Sequence, residues 1–149
     1  MYWVFGDITK IRSTVRNLTH PDLKGFDDSG FAQFEFVRGG IGSINYSTSC
    51  WDTNMESSIT VVGSKGSVKV GGQYMNEIEY CHVENYTKPT LPPTNPPNDY
   101  GPYKGSAANH HYVFQNVVDV LTGRTDITAT AFEGLKVVQM IENIYDAAR

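Results

Sequence analysis

The sequence contains only two cysteines, Cys50 and Cys81, and they form no CxxC pattern. A zinc knuckle and a thioredoxin-type redox pair both depend on such closely spaced cysteines, so neither site is supported. We interpret both residues as ordinary core thiols in a reducing compartment, and we therefore expect a cytoplasmic protein.

Long apolar runs are also missing. A membrane-spanning helix needs about 18–20 consecutive apolar residues, and no segment of this sequence approaches that length. The first six residues are apolar, but they have neither a basic lead-in nor a small-residue cleavage site. We expect neither a membrane span nor a signal peptide.

Charge is modest, because only 19% of the residues are charged and the formal net charge is −4. Such a chain has no basic field that could hold a phosphate backbone, so nucleic acid is not an expected partner. The 149 residues, 40% of them hydrophobic, have the size and composition of one ordinary domain with a real core.

Common motifs for cofactors and nucleophiles are absent as well, since the sequence contains no GxxxxGK[ST], HExxH or GxSxG. Gly39, Gly40 and Gly42 lie between two predicted strands, so we interpret them as hairpin residues and not as a phosphate cradle. We assign no catalytic residue, no cofactor-binding residue and no metal ligand.

Six segments alternate in residue character with a period of two, which is typical of strands that bury one face. Glycine-rich turns at residues 38–42 and 63–66 predict antiparallel hairpins. One side of each alternation consists of Ile11, Ser13 and Val15; Ala32, Phe34 and Phe36; Ile44, Tyr46, Thr48 and Cys50; Ile59 and Val61; Val68 and Val70; and Ile78, Tyr80 and His82.

Residues 89–102 contain six of the seven prolines. Proline donates no backbone hydrogen bond and has a fixed φ, so this segment is predicted to be an ordered loop, neither strand nor helix.

The remaining residues change to a period of 3.6 and predict two amphipathic helices. The first has Ser106 as its N-cap and Gly123 just after its end, and the second opens with a capping box from Thr130 to Glu133. The apolar stripes are His110, Val113, Phe114, Val117, Val120 and Leu121 in the first helix, and Gly134, Val137, Val138, Ile141, Ile144, Tyr145 and Ala148 in the second.

Because two such stripes must be buried, the sheet is their expected partner. The predicted fold class is α+β, with an open-faced, predominantly antiparallel sheet of about six strands and helices packed on one face. The other sheet face either meets water or contacts a second subunit or domain.

Two polar clusters are candidate binding sites. Asn109, His110 and His111 lie at the start of the first helix, where free N–H groups attract anionic or hydroxyl-rich ligands. The alternative is that His110 is a histidine at the edge of the core and His111 a solvated one. Trp51 and Asn54 follow a strand and combine an aromatic ring with a short polar group, which suits a sugar, although a loop tryptophan often only covers a core.

Several segments, in order along nearly the whole chain, resemble the C-terminal domain of the Gfo/Idh/MocA oxidoreductases. The most specific part is the Gly63-Ser64-Lys65-Gly66 hairpin, followed by the proline-rich loop and the Asn109-His110 helix. The other matching segments are residues 2–6, 28–36, 38–40, 56–72, 110–121 and 134–145. The chain looks like the branch that oxidises nucleotide-linked amino sugars and sugar uronates.

The resemblance implies a parent enzyme with an N-terminal Rossmann domain, which binds NAD(P) and carries a Glu-Lys-Pro lysine. It also implies an Asp/His pair on a helix whose last turn would be residues 1–6. We therefore expect residues 1–149 to be the substrate-binding and oligomerisation domain, without a cofactor site, and the Rossmann domain to lie upstream. In related enzymes the substrate approaches the helix that bears Asn109, His110 and His111.

The resemblance further implies a homo-oligomer that forms through the open sheet face, near Ser43, Asn45 and Ser47. The alternative is a non-enzymatic module that binds sugars or serves as a scaffold on its own.

Overall fold

The computed structural model describes residues 1–101 and 103–149. These residues divide into two compact units, one made of Met1–Cys50 with Ile127–Arg149 and the other of Trp51–Asp126. The elements are α1 (Tyr2–Phe5), β1 (Ile8–Arg16), β2 (Ser29–Phe36), β3 (Ile41–Ser47), β4 (Ile59–Gly63), β5 (Gly66–Gly71), β6 (Glu77–Val83), β7 (Pro97–Asp99), β8 (Lys104–Ala107), α2 (His110–Leu121) and α3 (Ala131–Asp146).

The predicted fold class is confirmed, since the described elements are helices and antiparallel strand pairs. Hydrogen bonding distributes the six predicted strands over two sheets, ordered β1-β2-β3 and β4-β5-β6, and adds a short β7-β8 pair. None of the described helices is long and apolar enough to cross a membrane.

In the first unit, α3 packs on the sheet through β1. Burial alternates along β1 and β2 as predicted. The buried core consists of Ala32 and Phe34 of β2 and Met140 of α3. The Ser13 hydroxyl donates to the Ile144 carbonyl, and Lys136 Nζ lies 3.2 Å from an Asp7 carboxylate oxygen. These polar contacts fix α3 along the strand that it covers.

The Tyr46 and Tyr145 hydroxyl oxygens lie 3.2 Å apart and connect β3 to α3. Burial, together with the Tyr145 hydrogen bond, raises the pKa of Tyr46 well above its ordinary value of 10.0. This phenol therefore stays protonated near neutral pH and packs as a neutral group.

Asp28 is fully buried at the start of β2. Its carboxylate accepts hydrogen bonds from the backbone N–H groups of Leu18 and Thr19 at 2.7–3.0 Å and from the Thr19 hydroxyl at 3.0 Å. His20 Nδ1 lies 3.0 Å from the same group. The carboxylate thereby ties the turn after β1 to the entry of β2.

In the second unit, the alternation along β6 differs from the prediction. A bulge between β5 and β6 leaves Glu79 without an opposite residue, so Ile78 pairs with Val70 whereas Tyr80 pairs with Lys69. A bulge shifts the alternation by one residue. Tyr80 and His82 are consequently exposed, while Cys81 is half-buried.

Three further predictions need correction. The proline-rich segment is not wholly loop, because Pro97–Asp99 pairs with β8; Pro102 lies outside the described residues. Ser106 belongs to β8, so Asn109 is the N-cap of α2. Cys50 is exposed and is not a core thiol.

Helix termini agree better with the prediction. The capping box of α3 is present, with the Thr130 side chain accepting from the Glu133 N–H and the Glu133 carboxylate accepting from the Thr130 N–H. Gly123 follows α2 with φ 71° and donates to the Val120 carbonyl. A left-handed glycine at this position ends the helix without steric cost.

The predicted burial of the α2 stripe is not observed. Val113, Phe114 and Leu121 are 64%, 71% and 81% exposed. In α3, Val138 and Ile141 also stay about half exposed. The pattern of period 3.6 therefore identified the helices correctly, but it did not identify what covers them.

We predict that Asp28→Asn lowers the melting temperature by on the order of 5–10 °C at pH 7, because an amide replaces a carboxylate that only accepts hydrogen bonds. Burial raises the pKa of Asp28, but hydrogen bonds, the largest from His20 and Thr19, outweigh it and hold this pKa well below its ordinary value of 3.8. A lowered pKa stabilises the fold above about pH 4, and the stabilisation is lost as the pH falls through the folded-state value.

Thermal melts between pH 2 and pH 7 test this prediction. The difference between wild type and Asp28→Asn should shrink below about pH 4. Asp22→Asn, a change at an exposed aspartate, serves as the control and should leave the melting temperature unchanged. Equal melting temperatures of wild type and Asp28→Asn at pH 7 would contradict the anchoring role of Asp28.

Candidate functional site

A cavity of about 390 Å³ lies in the unit formed by Trp51–Asp126. Its apolar lining consists of Met75, Ala107 and Val113. Its polar lining consists of Tyr74, Asn76, Thr94, Ser106, Asn109 and His110. A mostly preformed concavity with a few converging polar groups is the usual form of a small-molecule site.

Several elements bring these side chains together. Residues 74–76 form the turn between β5 and β6, where Met75 has a φ of 54°. Ser106 and Ala107 lie on β8, and Asn109 and His110 open α2. The Ala108 N–H donates to the Pro96 carbonyl at 2.9 Å, so the β7-β8 hairpin fixes where α2 begins.

Asn76 has an unusual position. Its Nδ2 donates to the Thr94 hydroxyl at 3.4 Å. Its Oδ1 is buried and has no hydrogen-bond partner among the described residues. This oxygen packs against Gly72, where an added Cβ would lie 2.7 Å from it, so it is not accessible to a ligand in the cavity.

Asn109 also lines the cavity. Its Oδ1 accepts from Asn95 Nδ2 at 2.8 Å, which fixes the orientation of the side-chain amide. The Nδ2 group of Asn109 remains as a donor at an exposed position. Asn109 thus offers a side-chain donor at the cavity, whereas the side-chain oxygen of Asn76 is buried.

The site residues predicted from the sequence are distributed as follows. Asn109 and His110 line the cavity, whereas His111 lies beside it with its ring 4.0 Å from that of Tyr112. Trp51 is 92% exposed. Asn54 accepts from Gln73 Nε2 at 2.7 Å. His111, Trp51 and Asn54 do not line this cavity.

Sequence reasoning missed four polar lining residues, Tyr74, Asn76, Thr94 and Ser106. Thr94 was hidden in the proline-rich segment, and Ser106 was interpreted as an N-cap. Tyr74 and Asn76 lie in the turn after Gly71-Gly72, where Gly72 has a φ of 79°. An Asn soon after two glycines was the available signal, but it equally indicates an ordinary turn.

A second polar cluster joins Lys69 to Glu56 and Glu79, at 2.7 and 2.6 Å. Hydrogen bonds to Glu56 and then Glu79 raise the pKa of Lys69, and the hydrogen bond from Lys69 lowers the pKa of each carboxyl. Glu79 also accepts from the Gly72 N–H at 2.8 Å. The single Lys69 cation neutralises only one of the two carboxylates, and its pair with Glu79 joins β5 to β6 beside the bulge.

One further cavity and one further polar pair have structural roles. A cavity of about 260 Å³ below α3 is lined by apolar side chains and by Tyr46 and Tyr145. The pair of His20 and Asp28 holds a turn. Within residues 1–101 and 103–149, no group of three or more His, Cys, Asp or Glu side chains could hold a metal ion.

The glycine turn between β2 and β3 does not have the form of a dinucleotide-binding turn. Gly39 and Gly40 have φ values of 98° and 103° in the β2–β3 turn, and the Gly39 N–H donates to the Phe36 carbonyl at 2.9 Å. This is a hairpin turn, whereas a dinucleotide-binding turn joins a strand of a parallel sheet to a helix. The strand pairs of the described residues are antiparallel.

The chain is similar to known proteins. Residues 1–69 match the family model described as the GFO/IDH/MocA C-terminal domain. The chain is also similar to the structure of the WlbA dehydrogenase from Bordetella pertussis in complex with NADH and UDP-GlcNAcA, at 26% identity and a TM-score of 0.76. No curated protein matches the chain at a significant level.

More distant structures share the fold. The WlbA dehydrogenase from Chromobacterium violaceum, also in complex with NADH and UDP-GlcNAcA, matches at 22% identity with a TM-score of 0.73 over 100% of this chain and 40% of that one. A putative oxidoreductase from Thermotoga maritima matches at 12% identity with a TM-score of 0.70, over 99% of this chain and 40% of that one.

The Bordetella match covers 99% of this chain but only 38% of the WlbA chain. The 149 residues thus span well under half the length of these solved relatives. The match to the family model and the shared fold agree with the segments on which the sequence resemblance was based. The predicted resemblance of this chain to the C-terminal domain of the Gfo/Idh/MocA oxidoreductases is thereby confirmed.

Proposed function

We propose that this chain is the C-terminal domain of an NAD(P)-dependent oxidoreductase that acts on a nucleotide sugar, and that the cavity at the start of α2 contributes to substrate binding. The main support is the likeness to the Bordetella WlbA dehydrogenase over 99% of the chain. That enzyme was solved with NADH and UDP-GlcNAcA. The polar cavity, with Asn109 and His110 in its lining, is a binding feature of suitable size and chemistry.

The cofactor would bind to another part of the proposed enzyme, since the glycine turn between β2 and β3 is a hairpin and not a dinucleotide-binding turn. We assign it to an N-terminal Rossmann domain, which is consistent with the 38% of the WlbA chain that this chain covers. When bound there, the nicotinamide would accept a hydride from the sugar. The cavity residues would orient the sugar by hydrogen bonds, which is the part of catalysis that this chain would supply.

The proposal includes a cytoplasmic homo-oligomer that forms through the open face of the β1-β2-β3 sheet. The strand register places Ser43, Asn45 and Ser47 opposite Gln33, Phe31 and Ser29. Ser43, Asn45 and Ser47 are exposed, and Phe31 is 51% exposed. A mixed polar and aromatic surface of this kind is suited to a subunit contact. Substrate contacts by His111, Trp51 and Asn54 stay a prediction.

We predict that the 149-residue chain binds UDP-GlcNAcA but not NADH. Isothermal titration calorimetry with each compound tests both expectations. Heat of binding with NADH would contradict the assignment of the cofactor to another domain, and no binding of UDP-GlcNAcA would contradict the substrate-binding role. The alternative, a module that functions on its own, is supported if the coding sequence upstream encodes no Rossmann domain.

We also predict that Asn109→Ala and His110→Ala each weaken UDP-GlcNAcA binding by about tenfold, which corresponds to the loss of one ligand hydrogen bond. Gln115→Ala removes a side chain of α2 that bonds to Asp119 and not to the cavity, so its dissociation constant should stay within twofold of wild type. Calorimetric dissociation constants provide the measurement.

His111→Ala, measured in the same series, decides between the two histidines. The structure favours His110, so His111→Ala should weaken binding less than His110→Ala. An unchanged affinity for both Asn109→Ala and His110→Ala would contradict the assignment of substrate to this cavity.

A further inference from the structure

The two three-stranded sheets end in four edge strands, β1 and β3 in one sheet and β4 and β6 in the other. An edge strand presents unpaired backbone groups to other chains, so proteins usually protect it with charges, proline or bulges. β1 is protected, since it carries Lys10, Arg12 and Arg16 and its pairing with β2 is irregular. β6 carries two glutamates beside a bulge, and Lys88 Nζ donates to the Ile78 carbonyl at 2.7 Å.

β4 has none of these forms of protection. The strand Ile59–Gly63 contains no charged residue and no proline, and its pairing with β5 is regular. Thr60 is exposed, and Val62 is 80% exposed. Among the described strands β4 pairs only with β5. Its outer edge is therefore an open template to which another strand can be added.

The hairpin between β4 and β5 determines which backbone groups of β4 point outwards. Gly63 pairs with Gly66 across a two-residue turn, so these two residues are hydrogen-bonded to each other. Hydrogen-bonded and non-hydrogen-bonded pairs alternate along an antiparallel ladder. The N–H and C=O groups of Thr60 and Val62 consequently point away from β5.

These outward groups are self-complementary about a two-fold axis. When two copies of β4 run antiparallel with Val61 opposite Val61, Thr60 of each copy lies opposite Val62 of the other. Such a pair exchanges two N–H···O=C hydrogen bonds, so the two symmetric pairs satisfy every outward group of Thr60 and Val62. The cross-strand neighbours are β-branched, which favours sheet pairing. Two-fold symmetry of this kind is the commonest in homo-oligomers.

Charges at the two ends of β4 are complementary in the same register. Near the start of the strand, Lys69 is shared between Glu56 and Glu79, so this cluster keeps a net negative charge. Beyond the end of the strand, the Lys65 side chain is 81% exposed and its Nζ lies 3.6 Å from Glu84. Antiparallel pairing brings the turn of one copy towards the start of β4 in the other. Lys65 therefore approaches the negative cluster of the other copy at both ends.

We infer that β4 is a self-association site, at which two copies of the chain pair their β4 strands antiparallel and join two β4-β5-β6 sheets into one. The strand has only five residues, so the contact is small and the association is weak and concentration-dependent. This pairing is separate from the contact proposed for the open face of the β1-β2-β3 sheet, and it does not rest on the proposed function.

Amide hydrogen exchange of the ¹⁵N-labelled 149-residue chain tests the inference by nuclear magnetic resonance at low and high protein concentration. The Thr60 and Val62 N–H groups acquire hydrogen-bond acceptors only in the paired state. We therefore expect their exchange to slow by about tenfold or more at high concentration.

Val62→Lys is the matched variant. A lysine on an edge strand opposes strand addition, and the exposed position of Val62 leaves the pairing of β4 with β5 intact. We expect this variant to lose the slowing of exchange at Thr60. Ile41→Lys makes a similar change at a side chain that is 85% exposed on β3. It should leave the exchange of Thr60 and Val62 as in wild type.

Disulfide trapping tests the register in a chain that carries Cys50→Ser and Cys81→Ser. Val61→Cys places two thiols opposite each other at a non-hydrogen-bonded pair, where the Cα atoms lie about 4.5 Å apart and a disulfide can form. We expect a disulfide-linked dimer after mild oxidation. Val62→Cys should not form one, because the residue opposite it is Thr60 of the other copy.

Two outcomes would overturn the inference. The first is rapid exchange of the Thr60 and Val62 amides at the highest protein concentration. The second is self-association that Ile41→Lys abolishes and Val62→Lys leaves unchanged. This second result would assign the contact to the β1-β2-β3 sheet, and the proposed function would still stand.

Discussion

The first unit depends on one buried charge. The Asp28 carboxylate is removed from water, which is costly unless every lone pair finds a donor. Two backbone N–H groups, one hydroxyl and the His20 ring supply these donors within 3.0 Å. Because these groups lie in the turn that follows β1, the charge is satisfied only when β1 and β2 enter the sheet in the observed register. The β1-β2-β3 sheet and the packing of α3 on it then follow from ordinary alternation.

The second unit relies on backbone geometry instead. The bulge between β5 and β6, the left-handed Gly72 and Met75, and the β7-β8 hairpin all shape the edge of one cavity. The charged cluster around Lys69 stabilises the bulged region without contributing to the cavity lining. The cavity is therefore formed by turns and a helix start.

Both units leave apolar side chains exposed, including Val113, Phe114 and Leu121 of α2. Clustered apolar surface on a soluble domain usually marks a contact with another domain or subunit. The chain spans 38% of the Bordetella WlbA chain, and in the proposed enzyme another domain and other subunits would supply such contacts. The exposed stripe of α2 is thus consistent with the proposed organisation, in which the 149 residues do not act alone.

The sequence by itself determined six of the eight described strands, the helices and the family resemblance. Alternation along 11–15 and 32–36, the glycine turn at 38–42 and the capping box at Thr130 are local signals, and local signals can be recognised without contacts between distant residues. Asn109 and His110 were identified in the same way, from their position at a helix start. The bulge at Glu79 was missed because a bulge depends on the register between two strands and not on either strand alone.

Only the tertiary structure decided which polar residues share a cavity. Asn76, Thr94 and Asn109 are far apart in the sequence, and their convergence depends on the β7-β8 pairing that positions α2. The long-range pairing also explains why only some of the predicted site residues line the cavity. Asn109 and His110 line it, whereas His111, Trp51 and Asn54 do not. Residue type and spacing indicated binding chemistry, but the partner of each side chain was set by long-range pairing, which no local pattern encodes.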